Sequence, residues 1–166
     1  VTGQTGLRRP GYVGVVEVTS AADMFEAVTS RAASQDIIIK AAAVADYRPK
    51  TVADNKIKKK DEEADLSMPL ERTDDILAWL GSHKKPGQIL CGFSMETEHM
   101  LENSRKKLVK KNLDIIAANN LKEEGAGFGT TTNVLTLITR DNILPLPMMT
   151  KTEAAHRLLD EILRLQ

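Results

Sequence analysis

Two lysine clusters stand out in a chain whose 23 Lys+Arg are balanced by 23 Asp+Glu. The first, Lys50 to Lys60, reads KTVADNKIKKK and sets five lysines against one aspartate. The second is Arg105, Lys106, Lys107, Lys110 and Lys111. On a helix, i, i+4 spacing puts Lys107 and Lys111 on one face, apart from Met100, Leu101, Ser104 and Leu108. Concentrated ammonium groups can compensate a polyphosphate as point charges. Each cluster also has the plainer reading of a solvated surface, with Glu102 pairing to Lys106 at i, i+4. Position favours chemistry. Ala41-Ala42-Ala43-Val44-Ala45-Asp46-Tyr47-Arg48-Pro49 follows an apolar strand and precedes the first cluster. In open α/β sheets, ligands sit at such carboxyl ends, and small alanines let backbone N–H and C=O groups approach a base or a phosphate. A mobile basic loop beside that crevice could close over a polyphosphate. Gly92-Phe93-Ser94-Met95-Glu96-Thr97 leads into the second cluster in the same way. Gly92 would permit close approach, Phe93 would offer a stacking face, and the first N–H groups of the following helix would face an anion.

The elements needed to hold these residues can be read from periodicity. Tyr12–Val18, Asp36–Ala43, Gln88–Ser94 and Leu113–Asn119 read as strands. Between them the spacing predicts helices from Ser20 (with Asp23 as a capping box) to Ala33, from Thr73 to His83, and from Thr97 to Lys111. Strands separated by helices require crossovers, hence a mainly parallel sheet with helices on both faces. Beyond Asn120 the pattern changes to a hairpin, Asn133–Thr139 and Ile143–Leu146 around Arg140-Asp141-Asn142. A final helix capped by Thr150 and Glu153 follows, striped with Ala155, Leu158, Leu159, Ile162 and Leu165.

Composition narrows the function. With 166 residues, 42% apolar, the chain is long enough for one cored domain, and its formal charge of zero argues against nucleic acid or an anionic membrane as partner. No apolar run reaches a membrane span, and the single Cys91 suits a reducing, cytoplasmic location. Gly125-Ala126-Gly127-Phe128-Gly129 leads toward a strand rather than a helix, so it reads as a turn-rich loop and not as a dinucleotide fingerprint. Asp46, Glu96 and Asp114 could touch a metal, but their spacing defines no site, and Cys91 reads as a core residue.

Five strings in order carry a resemblance over nearly the whole chain: Ala-Ala-Val-Ala-Asp-Tyr-Arg-Pro (42–49), Lys-Ile-Lys-Lys (56–59), Asp-Ile-Leu (75–77), Gly-Phe-Ser-Met-Glu-Thr (92–97) and Lys-Lys-Asn-Leu-Asp-Ile-Ile-Ala-Ala-Asn (110–119). They resemble phosphopantothenoylcysteine synthetase, the ligase half of the bacterial bifunctional coenzyme A biosynthesis flavoprotein. The resemblance implies a Rossmann-like fold and a homodimer that joins 4′-phosphopantothenate to L-cysteine using CTP and Mg²⁺, with no flavin on this domain and a flavoprotein decarboxylase fused or associated. It further implies nucleotide contacts at Lys40, Ala41, Ala42, Asp46, Lys56, Asp74, Asp75, Ile76, Leu77, Phe93, Lys107 and Lys111. Catalytic positions would be Lys56, Ala42 and Ala43, with Lys56 as the flap lysine. Lys40 and Asp74 stand where relatives often carry Gly and Pro, so contacts there are expected through backbone. The family's opening strand and helix, with a Ser-Ser-Gly-Lys-Met-Gly segment, do not appear. The single ligase domain expected over 1–166 would therefore bind nucleotide better than it turns over, with a catalytically incomplete nucleotide-binding or assembly module as the alternative. A flavin or nicotinamide oxidoreductase ranks third, because the alternation suits it and the glycine pattern does not.

Overall fold

The computed structural model describes residues 1–57, 67–96, 98–120 (Asn120 by its backbone) and 129–166. In chain order the elements are α1 (Ala21–Ala32), β1 (Ile37–Lys40), β2 (Tyr47–Pro49), β3 (Leu70–Arg72), α2 (Ile76–Ser82), β4 (Ile89–Glu96) and α3 (Met100–Lys110). They continue with β5 (Ile115–Asn120), β6 (Thr132–Asn133), β7 (Leu135–Thr139), β8 (Ile143–Pro145), β9 (Met149–Thr150) and α4 (Lys151–Leu163). They fall into two compact units, residues 1–27 with 43–75 and residues 28–42 with 76–166.

The larger unit holds a five-stranded sheet in the order β1-β4-β5-β7-β8, parallel from β1 to β5 and antiparallel from β5 to β8. The expected parallel sheet with a C-terminal hairpin and helix is therefore present, and the fold is Rossmann-like. Ile115, Ile116, Ala117 and Ala118 of β5 are all 0% exposed, as an inner strand covered on both faces must be. Alternation sends Ile37, Ile89, Cys91, Ile115, Ala117, Leu135 and Leu137 to one face, where Ala154, Leu158 and Ile162 of α4 complete the core. Ile38, Leu90, Gly92 and Ile116 face the other way, toward α2 and α3. A Cβ built on Gly92 would stand 2.9 Å from Leu77 Cδ2 and from Leu113 Cδ1. The bareness of Gly92 thus serves helix packing, not the ligand approach expected from sequence.

Several boundaries differ from expectation, each for a local reason. The run Tyr12–Val18 forms no strand. Tyr12 has φ 62, and only an isolated parallel bridge joins Thr2 to Glu17. Helix α2 starts at Ile76, because the Thr73 hydroxyl donates to Ala45 O at 2.6 Å instead of capping. Helix α3 starts at Met100 after His99 in a left-handed conformation, with no side-chain cap, and Thr97 lies outside the described residues. On α4 the buried stripe is Ala154, Leu158 and Ile162, whereas Ala155, Leu159 and Leu165 are exposed. Both capping boxes form as expected: Asp23 N donates to Ser20 Oγ and Ser20 N to Asp23 Oδ2, and Thr150 and Glu153 pair likewise. The ribbon β2–β3, which frames the first lysine cluster in the smaller unit, was not legible as strand.

Candidate functional site

In the larger unit the parallel strands β1 and β4 end at Lys40 and Glu96. Two sequence-distant candidates, Ala41 and Phe93, line one cavity of ≈ 380 Å³ on the α4 side of the sheet, together with Ile39, Leu135, Leu158 and Leu159. Asn133 and Lys151 add polar groups to this otherwise apolar wall. Phe93 is half-buried and can offer a ring to a planar ligand. Asn119 lies on the same sheet face, opposite Met95 of β4 and Leu135 of β7. It is 6% exposed, and its Oδ1 accepts no hydrogen bond among the described residues. Leaving a buried acceptor unmet costs about 1–3 kcal/mol unless another group supplies a donor. Asn119 is the candidate that motif reasoning passed over. Its signal was two consecutive asparagines closing an apolar inner strand.

The opposite face carries the second lysine cluster. Lys107 Nζ lies 3.4 Å from Glu96 Oε1, and Asn103 Nδ2 donates to Glu96 Oε2 at 3.4 Å. The Lys107 side chain keeps 33% exposure, enough to meet a ligand. Between α3 and β4 the Ser94 and Ser104 hydroxyls share a buried 2.8 Å hydrogen bond. Lys111 shares the helical face of Lys107 but caps the far end of α3, where its carbonyl packs against Gly81. Lys40 ends β1 on this same face, in register with Gly92. Glu102 and Lys106 pair at 2.6 Å on the solvent side, and that hydrogen bond holds the Glu102 carboxyl below its usual range. Ile76 and Leu77 are each 3% exposed, so α2 buries the side chains that the resemblance assigns to nucleotide contact, and only backbone is available there.

The smaller unit holds Ala43, Asp46, Lys56, Asp74 and Asp75, all exposed. Thr73 draws two of them together: its N–H donates to Asp46 O at 3.0 Å, and Asp74 follows it in the chain. Ala42 is exposed in the larger unit and continues directly into Ala43. Lys56 and Ile57 are described outside any strand or helix. Lys58 to Lys60, and with them the expected mobile loop's end, lie outside the described residues, as do Gly125 to Phe128.

Of the three acidic residues considered for metal, Asp46 belongs to the smaller unit, and Glu96 and Asp114 of the larger unit are each engaged by other groups. Glu96 holds Lys107 and Asn103, while Asp114 accepts from Lys84 Nζ and from Leu90 N, each at 2.7 Å. No group of three or more His, Cys, Asp or Glu side chains that could hold a metal occurs among the described residues. Cys91 is fully buried, and burial pushes its thiol up to about 12, which keeps it unreactive and fits its reading as core. No helix of the described residues is long and apolar enough to cross a membrane.

Comparison with known proteins places this arrangement in a family. Residues 1–165 match the model of the DNA/pantothenate metabolism flavoprotein C-terminal domain, and the chain belongs to that family. It is 47% identical over 98% of its length to the coenzyme A biosynthesis bifunctional protein CoaBC of Bacillus subtilis, spanning 40% of that protein. It is 44% identical over 92% of its length to a cysteine/cysteine sulfinic acid decarboxylase from an unknown prokaryotic organism, spanning 42% of it. The crystal structure of the C-terminal domain of a CoaBC protein aligns with a TM-score of 0.78 at 39% identity, covering 96% of this chain and 69% of the other. The chain thus spans about two-fifths of the curated relatives it matches.

Proposed function

We propose that this chain supplies the ligase site that joins 4′-phosphopantothenate to L-cysteine in coenzyme A biosynthesis. The observation that carries the reading is the convergence of Ala41 and Phe93, 52 positions apart, on one cavity at the carboxyl end of the parallel strands, where Rossmann-like sheets bind nucleotides. Membership of the family and the likeness to bifunctional CoaBC proteins support it. In this reading a carboxylate oxygen of 4′-phosphopantothenate attacks the α-phosphorus of CTP, and pyrophosphate leaves. The cysteine amine then attacks the acyl carbon, CMP leaves with the bonding electron pair, and the amine gives up a proton. Within the larger unit, Phe93 and the Ala41–Ala42 backbone hold the base and the acyl group, Asn119 offers to a donor on the ligand an oxygen that no described residue meets, and Lys107 meets phosphate charge; the family resemblance adds Ala43 and Lys56 to the chemistry. The described acidic side chains do not assemble a resident Mg²⁺ site. Magnesium enters this proposal as the companion of the triphosphate, and no step here is routed through it. Homodimerisation, a flavoprotein decarboxylase neighbour and a cytoplasmic location are parts of the same proposal.

The test is release of pyrophosphate and CMP by the purified chain given CTP, Mg²⁺, 4′-phosphopantothenate and cysteine, beside a polypeptide extended upstream. CTP-dependent product from either supports the reading. CTP binding without product from either favours a nucleotide-binding module. Carbon dioxide release from cysteine sulfinate with no ligase product overturns it. In the active form, Lys56→Gln should lower turnover about 100-fold with little change in CTP affinity. Unchanged turnover removes Lys56 from the chemistry.

A further inference from the structure

Ser94 and Ser104 meet between β4 and α3. Ser94 lies on β4 between Phe93 and Met95 and is 3% exposed, whereas Ser104, on α3, is 0% exposed. Their hydroxyl oxygens are 2.8 Å apart. The only other described contacts of comparable polarity between these two elements are those of Glu96 with Lys107 and Asn103. Leu108 of α3 and Leu90 and Ile116 of the sheet are buried apolar side chains. Apolar packing is non-directional, while a hydrogen bond between two buried hydroxyls has one preferred separation and angle. A buried polar pair of this kind selects register more than it adds stability.

We infer that Ser94 and Ser104 are positioning residues that set the axial slide and rotation of α3 over β4, and thereby hold Lys107 at the carboxyl end of the sheet where phosphate is handled. Ser104 is three residues before Lys107, nearly one helical turn, and adjoins Asn103, so any slide of Ser104 moves both partners of Glu96. Ser94 is next to Phe93, so one hydroxyl pair ties the ring on one face of β4 to the lysine on the other. The functional half of the inference rests on the proposed role of Lys107 in nucleotide binding.

The double variant Ser94→Ala/Ser104→Ala separates positioning from mere stability. Ser104→Ala strands the buried Ser94 hydroxyl on its strand, whereas Ser94→Ala leaves Ser104 free to turn to a carbonyl in the preceding helical turn. The double variant strands none, so its Tm should lie close to that of the parent and above at least one single variant. Two readouts are then taken on the full chain: the side-chain ammonium ¹⁵N signal of Lys107 without ligand, and the Kd for CTP with Mg²⁺. Positioning predicts a displaced Lys107 signal and a Kd raised about fivefold in the double variant despite recovered stability, the scale of a weakened contact to a charged group. An unmoved Lys107 signal overturns the inference whatever the Kd. A moved signal with unchanged Kd overturns its functional half when Lys107→Ala itself weakens binding. If Lys107→Ala leaves Kd unchanged, the proposed nucleotide role of Lys107 fails, while the ammonium signal still decides the positioning.

Discussion

The two ends of β4 and β5 share one hydrogen-bonded ladder and are finished in opposite ways. At the amino end, Asp114 takes Leu90 N–H and Lys84 Nζ at 2.7 Å each, and Asn112 donates to Gly81 O at 2.9 Å while accepting from Arg140 at 3.2 Å. Asn112 also closes α3 from a left-handed conformation, with its own N–H on Val109 O and Leu113 N–H on Leu108 O, so the helix's last carbonyls find partners. At the carboxyl end, Glu96 holds Lys107 and Asn103 at 3.4 Å each and Asn119 buries an oxygen that no described residue meets. Polar groups satisfied within the chain contribute to folding. Groups left long or unmet contribute little to folding and keep their capacity for an added molecule. Substitutions at the amino end should therefore move stability and spare binding, and those at the carboxyl end should do the reverse.

The hardest blow to the amino end is Gly81→Ala. A Cβ there would stand 1.9 Å from the Lys111 carbonyl oxygen, a backbone atom fixed by the end of α3. Overpacking against backbone that cannot rotate away should cost more than about 3 kcal/mol in urea or guanidinium unfolding. A loss under about 1 kcal/mol would mean that α2 and α3 separate easily and that the amino end is not a tight latch.

Asp114→Ala tests the same end through hydrogen bonding. It strands the part-buried Leu90 N–H and Lys84 together and should remove about 2–3 kcal/mol. The CTP affinity of the folded fraction should stay within about twofold of the parent. An affinity loss as large as the stability loss would couple the two ends and dissolve the contrast.

Lys107→Ala inverts the pattern. Its ion pair with Glu96 is long and one-third exposed, so screening leaves it worth less than about 1 kcal/mol to folding. CTP binding measured by calorimetry should weaken by about 2 kcal/mol, the scale of a charge-assisted phosphate contact. A variant that loses stability and keeps CTP affinity would assign Lys107 to structure.

Sequence made the sheet and its capping boxes legible because those signals are local: Ile37 to Ile39, the β5 run, and Ser20 and Thr150, each three residues ahead of a carboxylate. It misjudged features decided across the fold. Thr73 looks like a helix cap until Ala45 O takes its hydroxyl, and Gly92 looks like ligand space until Leu77 and Leu113 fill it. Ile76 and Leu77 carry a motif that family resemblance assigns to nucleotide contact, while packing buries both. Asn119 escaped notice because nothing in a linear pattern shows whether a buried oxygen has a donor. The site's types were readable, and its satisfied and unsatisfied partners were not.

The smallest expected effect is at a locally complete feature, the capping box at the start of α4, whose Ala154 and Ala155 line the cavity with Lys151. The Thr150 hydroxyl, and after it the Thr150 backbone N–H, hold the Glu153 carboxyl below its usual range. The folded-state value is depressed, so the contribution is fully present above the unfolded carboxylate range and is lost as pH falls through the folded value. Glu153→Gln should lower Tm by no more than about 2 °C at pH 7. The two proteins should converge as the pH is taken below the carboxylate range, because protonation deprives the parent of the same charge. A gap that persists at acid pH would show that α4 is held at this position by shape and not by the Glu153 charge.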